Sequence, residues 1–435
     1  MIARHSARAP LDRAADALML LSALLLFGVS SMTLAAAGIG YEQAGGSLLQ
    51  KFHPSTYAAG LALAVRFLAQ RNPFGWLAAQ TARFPGATYF VATWTVMILF
   101  AAFVQRIPLS PIIDSFLCSV AMLVLYADAD DRTRATLRLA LHAFMLVNAC
   151  IGIGEFVTGA RLTPYVAGGR VILHDYRSTA LLGHPLVNSA AAAAYALMLI
   201  CNADRAMNWL LRSFLVAVQG AALVTFGGRT AIILCAALGV FRLIGPGVRI
   251  LGGQRFDMRG ALLAAFVAPL SLLCVAALAQ RGAFEGLVER FSDDKGSAEA
   301  RLLIFQLFDY FSVGDLLLGP DQQKLSTIQN TLGIEYGIES SWFGLLFGYG
   351  AIMTFFFGVA FAALMWEFWR RCRPGAWPLF VYLFVQLTSA AGISVKTLVF
   401  SQFIVLLLAF FCDEREAEGS PQRAHGALRL TARRA

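Results

Sequence analysis

The chain has 435 residues, of which 58% are hydrophobic and only 14% charged, and its formal net charge is +9. A mean hydropathy of +0.66 excludes an ordinary soluble globular domain. The positive charge calls for no nucleic-acid partner, because basic segments lying against anionic lipid account for it.

Twelve apolar stretches are candidates to cross a bilayer, which takes about 20 residues of helix. They fall at about 17–39, 55–70, 88–104, 111–127, 136–158, 184–201, 208–224, 230–244, 260–280, 341–365, 376–394 and 397–412. With the N-terminus inside, the inner segments hold 23 of the 35 Lys and Arg residues over a shorter length of chain, which sets the orientation. The expected fold is an all-α polytopic integral membrane protein of about 12 transmembrane helices over 1–412. Its periplasmic loops run at 159–185 and 281–340, the larger between helices nine and ten. Both termini are expected in the cytoplasm of a bacterium, and residues 413–435 read as a polar, disordered tail. Arg4 to Arg13, an apolar run and Ala35-Ala36-Ala37 imitate a cleaved secretory signal, but eleven further stretches favour an anchoring first helix. The seven cysteines lie within spans or at their inner ends and form no Cys-x-x-Cys pair. Neither disulfides nor a zinc site is expected.

Between Gly159 and Pro185 the chain carries Arg161, Arg170, Arg177, His174 and His184 against a single acid, Asp175. Outer loops are normally poor in Arg and Lys, so a cationic loop on that side points to an anionic ligand. The 281–340 loop has the opposite balance, with ten acids and five bases. Within it Ser297 and Glu299 suit a helix start, and Leu302, Leu303, Phe305, Leu307, Phe308 and Phe311 give it a broad apolar face. That face either lies in the membrane interface or packs on the bundle.

Ionisable residues at the ends of spans are costly there and default to a functional reading. Asp114, Glu155, Arg229 and Lys396 all fall at outer ends and, with Arg177, His184, Arg301 and Glu339, form an outward polar set. The bland alternative is structural ion pairing, such as Glu155 with Arg229 or Lys396. His142, at an inner end, reads as one interhelical hydrogen bond. Asp128-Ala129-Asp130 imitates a metal–nucleotide-sugar motif, but its short inner turn reads as capping.

Four strings stand out in order: Phe52-His53-Pro54-Ser55-Thr56-Tyr57; Arg177-Ser178-Thr179-Ala180 with Gly183-His184-Pro185; Gly227-Gly228-Arg229-Thr230-Ala231; and Ile338-Glu339-Ser340-Ser341-Trp342 with Gly348-Tyr349-Gly350. On this topology they resemble the O-antigen ligase and Wzy-type polysaccharide polymerase superfamily, and within it the exopolysaccharide-polymerase branch. The resemblance covers about residues 50–410. It implies a membrane glycosyltransferase that uses a polyprenyl-diphosphate-linked oligosaccharide at the periplasmic face of the inner membrane. It further implies membrane lipid as surroundings and a flippase and a chain-length regulator of the same pathway as candidate partners. Family members often carry an Arg early in the large loop, which Arg301 matches. Ligases typically have His followed by Asn or Ser just before the next span, where this chain has Glu339-Ser340. No histidine role transfers to position 339, which favours polymerase over ligase.

The residue types suit that chemistry. Charge develops on a diphosphate leaving group, and an arginine fork binds phosphate oxygens bidentately at any relevant pH, with no metal or other cofactor. Arg177, Arg229 and Arg301 are the candidates for the diphosphate. His184 or Glu339 is the candidate proton acceptor for the acceptor hydroxyl, and Asp114, Glu155 and Lys396 are supporting polar groups. The competing readings are a ligase, a twelve-helix transporter or flippase, a polyprenyl-monophosphate-dependent glycosyltransferase, and a non-catalytic membrane component. The short inner segment at about 202–209 argues against two six-span transporter halves.

Overall fold

The protein is described by a computed structural model over residues 10–43, 47–167, 170–172, 175–251, 276, 280, 285, 297–334 and 337–412. Most of the predicted ninth stretch, the opening of the 281–340 loop and the tail at 413–435 lie outside these residues.

In chain order the helices are α1 (Pro10–Gly28), α2 (Ser31–Ala36), α3 (Leu48–Lys51), α4 (Pro54–Leu68), α5 (Pro73–Arg83), α6 (Pro85–Phe100, extended by a π-helical turn over Ala101–Gln105), α7 (Ser110–Asp128) and α8 (Asp131–Thr158). There follow α9 (Pro185–Ile200), α10 (Trp209–Phe226), α11 (Arg229–Leu251), α12 (Ser297–Gln306), α13 (Val313–Leu318), α14 (Gln322–Thr331), α15 (Ser341–Arg371), α16 (Trp377–Ser389) and α17 (Val399–Phe411). The strands are a two-residue antiparallel hairpin that pairs Val166–Ala167 with Arg170–Val171. Among the described residues five helices are long and apolar enough to cross a membrane: α6 with its π turn, α7, α8, α10 and α15. The apolar α9 and α17 are shorter.

α7, α9 and α17 form the centre. Every residue of α17 from Phe400 to Phe411 is buried, as is α9 from Asn188 to Leu199. A helix that is apolar and buried all round belongs to the inside of a bundle. Lipid tails are as apolar as leucine, so packing rather than water exclusion must hold such helices. The Ala190–Ala194 run supplies that packing by letting α9 lie close against α10, α11 and α17. Buried polar groups add interhelical bonds: Asn148 to Asn188 at 2.9 Å, Ser119 to Ser401 at 2.8 Å, Gln219 to the Met145 carbonyl at 2.9 Å, and Gln402 to the Leu26 carbonyl at 3.1 Å. The outer helices keep an apolar exposed face, with Val96, Leu99, Phe103, Leu139, Phe214, Phe355 and Trp366 on it.

Hydrogen bonds define two ends of the bundle. At one, which we call the arginine end, Arg66 holds Asp12 and Asp16 of α1. There too Arg83, Trp76 and Gln80 converge on Asp128, and Arg371 reaches Glu367. Asp130 caps α8 through the Thr133 amide at 2.7 Å, as expected of this turn, whereas Asp128 holds α5 instead of capping. His142 differs from expectation. It makes two contacts rather than one, to Tyr195 at 2.6 Å and Asp204 at 3.2 Å. The other end, the loop end, gathers the described residues of 29–43, 47–53, 159–167, 170–172, 175–185 and 390–398 with the starts of α4, α7, α9, α11 and α15.

Three predicted spans are corrected. The stretch at 17–39 is not one helix: α1 starts at Pro10 and stops at Gly28, and Ser30 caps a separate α2 through the Thr33 amide at 3.1 Å. The break is held because the Val29 carbonyl is bonded to the His53 ring at 2.9 Å. α11 continues past the expected 230–244, to Leu251. α15 runs to Arg371 and is interrupted at Gly350, whose φ of 82° and ψ of 164° are not helical. A Cβ at Gly350 would lie 2.4 Å from the Gly319 nitrogen, so the turn after α13 wedges into the interruption. Irregular backbone at membrane depth must find partners. Gln322 supplies one by donating to the Phe347 carbonyl at 3.1 Å. On α12, Leu302 and Phe305 are exposed while Ile304, and Leu307 in the 3₁₀ turn that follows, are buried, so the segment both packs on the bundle and offers an apolar face.

Candidate functional site at the loop end

The cationic loop is built from the end of α8. Gly159 ends that helix in the left-handed conformation, with its amide on the Glu155 carbonyl at 2.8 Å. The Glu155 carboxylate, buried, then accepts three backbone amides: Leu162 at 2.7 Å, Thr179 at 2.8 Å and Ala180 at 2.9 Å. Glu155 therefore does not pair with Arg229 or Lys396. It is an anchor for both limbs of the loop. Ser178 donates to the Gly152 carbonyl at 2.6 Å, and the Asn148 side chain accepts from the Leu181 amide at 3.0 Å. The hairpin and the Arg161 guanidinium, which donates to the Ile172 carbonyl at 2.9 Å, close the outer part. Arg161 is thereby committed to structure.

Arg177 lies in the inner limb and is buried. Its Nε and Nη2 both donate to Asp175, at 2.9 and 2.6 Å, and Nη2 also reaches the Tyr165 hydroxyl at 2.9 Å. The guanidinium carbon sits 5.0 Å from the Tyr165 ring centre. Burial pulls its pKa down, but the bonds to Asp175 and the nearby tyrosines outweigh that and raise it. Arg177 is a cation at every working pH, with one side of its fork already held by Asp175.

Gly227 brings the third string to this point. It ends α10 in the left-handed region at φ 64°. A Cβ there would lie 2.7 Å from the Tyr176 hydroxyl and 3.0 Å from Arg177 Cγ, so only glycine allows the approach. The Gly228 amide donates to Ser189 Oγ at 3.0 Å, which sets the start of α11 against the first turn of α9. Arg229 is the first residue of α11 and half-buried. Two helix N-termini, with their positive dipole ends, thus abut beside Arg177 and Arg229.

His184 caps α9. Its Nδ1 accepts from the Leu186 amide at 3.2 Å, and its ring meets Tyr165 edge-on at 5.5 Å. A neutral imidazole that accepts at Nδ1 carries its proton on Nε2. His184 Nδ1 is thus already occupied by the Leu186 amide, which leaves Nε2–H as a donor and removes Nδ1 as the proton acceptor expected from sequence. His53 repeats the device at α4, with Nδ1 accepting from the Ser55 amide at 3.2 Å and Nε2 on the Val29 carbonyl.

The remaining candidates sit elsewhere. Asp114 is fully buried and accepts from the Tyr41 and Thr56 hydroxyls and from the His53 amide at 3.1 Å. Lys396 donates to the carbonyls of Tyr41 at 2.6 Å and Lys51 at 2.7 Å and lies over the Tyr41 ring at 3.5 Å. Together they knot residues 41–53 to α7 and to the 390–398 loop. That loop continues to Ser341, whose hydroxyl donates to the Ala390 carbonyl at 2.8 Å. Glu339, just before it, is exposed, so the dehydrated position expected for a tuned base is not where it lies. The Arg301 side chain is outside the described residues, although its backbone belongs to α12. Tyr165, Asn148 and Ser189 were not singled out from sequence. Only the repeated His-Pro start of α4 and α9 signalled the capping geometry. Among the described residues no three or more of His, Cys, Asp and Glu are grouped to hold a metal ion. No family model, curated protein or solved structure matches this chain.

Proposed function

We propose that this chain is a polysaccharide polymerase of the bacterial inner membrane. In this reading about twelve spans place both termini in the cytoplasm and the loop end at the periplasmic face. A growing glycan is transferred from a polyprenyl-diphosphate carrier to the hydroxyl of a lipid-linked repeat unit. The hydroxyl oxygen bonds to the anomeric carbon, the carbon–oxygen bond to the diphosphate breaks, and the carrier leaves as the diphosphate. Arg177 and Arg229, with Arg301 from the large loop, stabilise the charge that develops on it, and His184 Nε2–H donates to one of its oxygens. Glu339, exposed ahead of α15 rather than held at the junction, takes the acceptor's proton when the acceptor hydroxyl is presented from the large-loop side. The observation that carries this reading is the junction of Arg177 with Gly227 and Arg229 at the abutting N-termini of α9 and α11.

The test is Arg229→Lys together with His184→Asn. Lysine keeps the charge but loses the planar fork, and asparagine keeps the cap but loses the Nε2 donor. Each is expected to lower polymer yield by about 10²-fold at normal protein level, the scale of one preorganised donor. Single repeat units should accumulate on the lipid, and the wild-type enzyme should still elongate them in excess EDTA. Completed but unattached chains would instead indicate ligase activity, and normal glycans in a deletion strain would favour the transporter reading.

A further inference from the structure

At the arginine end the last half of α4, α5, the first half of α6 and the last half of α7 enclose a cavity of about 450 Å³. It is lined almost wholly by apolar groups, among them Leu63, Phe67, Trp76, Phe84, Val91 and Val124. Its size suits a small ligand site, whereas a close-packed interior leaves few voids larger than a water molecule. Gly60 forms part of the wall, and a Cβ there would meet nothing within 4 Å, so the space is open at the floor. α5 roofs it. Asp128 holds this short helix in place by accepting from Trp76 at 3.1 Å, Gln80 at 3.4 Å and Arg83 at 2.9 Å. Phe74 of α5, at 78% exposure, is apolar and faces outward, as for a helix lying in the membrane interface.

Two observations identify the occupant. The Gln80 side chain, 8% exposed and lining the cavity, has its Oε1 buried with no hydrogen-bond partner, because its amide nitrogen is turned to Asp128. An orphaned buried acceptor asks for a donor. Arg71, in the link between Phe67 and Trp76 of the cavity wall, is exposed and adds positive charge. We infer that this cavity binds one acyl chain of an anionic phospholipid whose headgroup carries hydroxyls. The chain fills the void, the Gln80 amide turns so that Oε1 meets a headgroup hydroxyl, and the phosphate lies against Arg71. The chain comes from lipid rather than from water, so retention through detergent rests on close packing against the apolar walls and on the headgroup's bonds.

The site is separate from the loop end, and its test does not read glycan synthesis. The full chain is purified in detergent, its retained lipid is quantified by mass spectrometry, and its thermal midpoint is followed on adding phosphatidylglycerol, phosphatidylcholine or a polyprenyl phosphate. Wild type should retain phosphatidylglycerol and gain a larger upward shift from it than from the other two. Gly60→Leu, which fills the cavity, should lose both the retained lipid and the shift. Ala64→Leu is the second variant, in case the first does not fold, and Arg71→Glu should remove the preference for phosphatidylglycerol over phosphatidylcholine. Unchanged lipid retention in a folded filling variant would overturn the site. Equal shifts from all three lipids, or retention of the polyprenyl phosphate instead, would overturn the occupant.

Discussion

Glu155 offers the sharpest separation between a scaffold and a catalytic group. Its two oxygens accept three backbone amides, from Thr179 and Ala180, which are buried, and from Leu162, which is partly so. In Glu155→Gln only one oxygen remains, so at least one amide faces an NH₂ group and the surviving bonds lose their charge assistance. A bond to a charged group contributes about 1.5–3 kcal/mol, and a stranded buried donor costs about 1–3 kcal/mol. A net loss of about 2–4 kcal/mol is expected for anchoring the loop, less than the gross sum because the loop can relax towards water. The loss should be local. Hydrogen exchange at the Leu162, Thr179 and Ala180 amides should speed up by roughly 30- to 1,000-fold, with little change in the middle of α9 or α17. Glu155→Ala should go further in the same direction, and activity should fall with it because Arg177 and His184 ride on the same loop. If Glu155→Gln kept wild-type protection at these amides yet lost activity, the carboxylate would have to act in the chemistry and the anchoring argument would be wrong.

Gly350→Ala should lower the chain's stability by several kcal/mol or block its insertion, because φ 82° is strained for any side chain and the new Cβ would lie 2.4 Å from the Gly319 nitrogen. Wild-type thermal stability of this variant in detergent would refute the wedge between α13 and α15. Burial pulls the Lys396 ammonium down to about 8, against the opposing pull of Asp114. The folded chain then binds fewer protons than the unfolded one between about 8 and the ordinary 10.5, so this group makes stability rise with pH across that window. Lys396→Met should flatten that rise in SDS unfolding, and an unchanged slope would show that the ammonium is not dehydrated. For the topology, Ala160→Cys and Gln323→Cys in a cysteine-free chain should react with an impermeant thiol reagent in intact spheroplasts. Labelling of either only after lysis would invert the orientation.

The helical membrane class was legible because composition and apolar runs are properties of the chain alone. Helix ends were less so. The break after Gly28 depends on His53, from another helix, taking the Val29 carbonyl, and the interruption at Gly350 depends on Gly319 approaching from a loop. Both are long-range events to which a sliding window is blind. The site was half legible. Clustering of ionisable residues at the loop end was readable, since burying such groups costs enough to make their positions informative. Their roles were not, because a role is set by partners. Asp175, two residues away, holds Arg177, and the Nδ1 of His184 is spent on the Leu186 amide.

The two signs of charge divide their labour at the loop end in a way that follows from backbone chemistry. A loop folded back at membrane depth exposes amides that no water can satisfy, and carboxylates are the strongest acceptors for them. Glu155 and Asp114 both take backbone amides, and Asp175 takes the Arg177 amide as well as its guanidinium. These acids are committed to holding the loops. Arginine cannot serve backbone amides, since it only donates. A cation kept at the junction of α9, α10 and α11 must therefore answer to an acceptor, either a protein group or a ligand. Asp175 answers one side of the Arg177 fork, while the N-termini of α9 and α11 bring positive dipole ends to the junction and the C-terminus of α10 at Gly227 a negative one. In the proposed function the other side of the fork answers to an anionic ligand. For that reason the arginines, rather than the more numerous buried acids, carry the proposed chemistry.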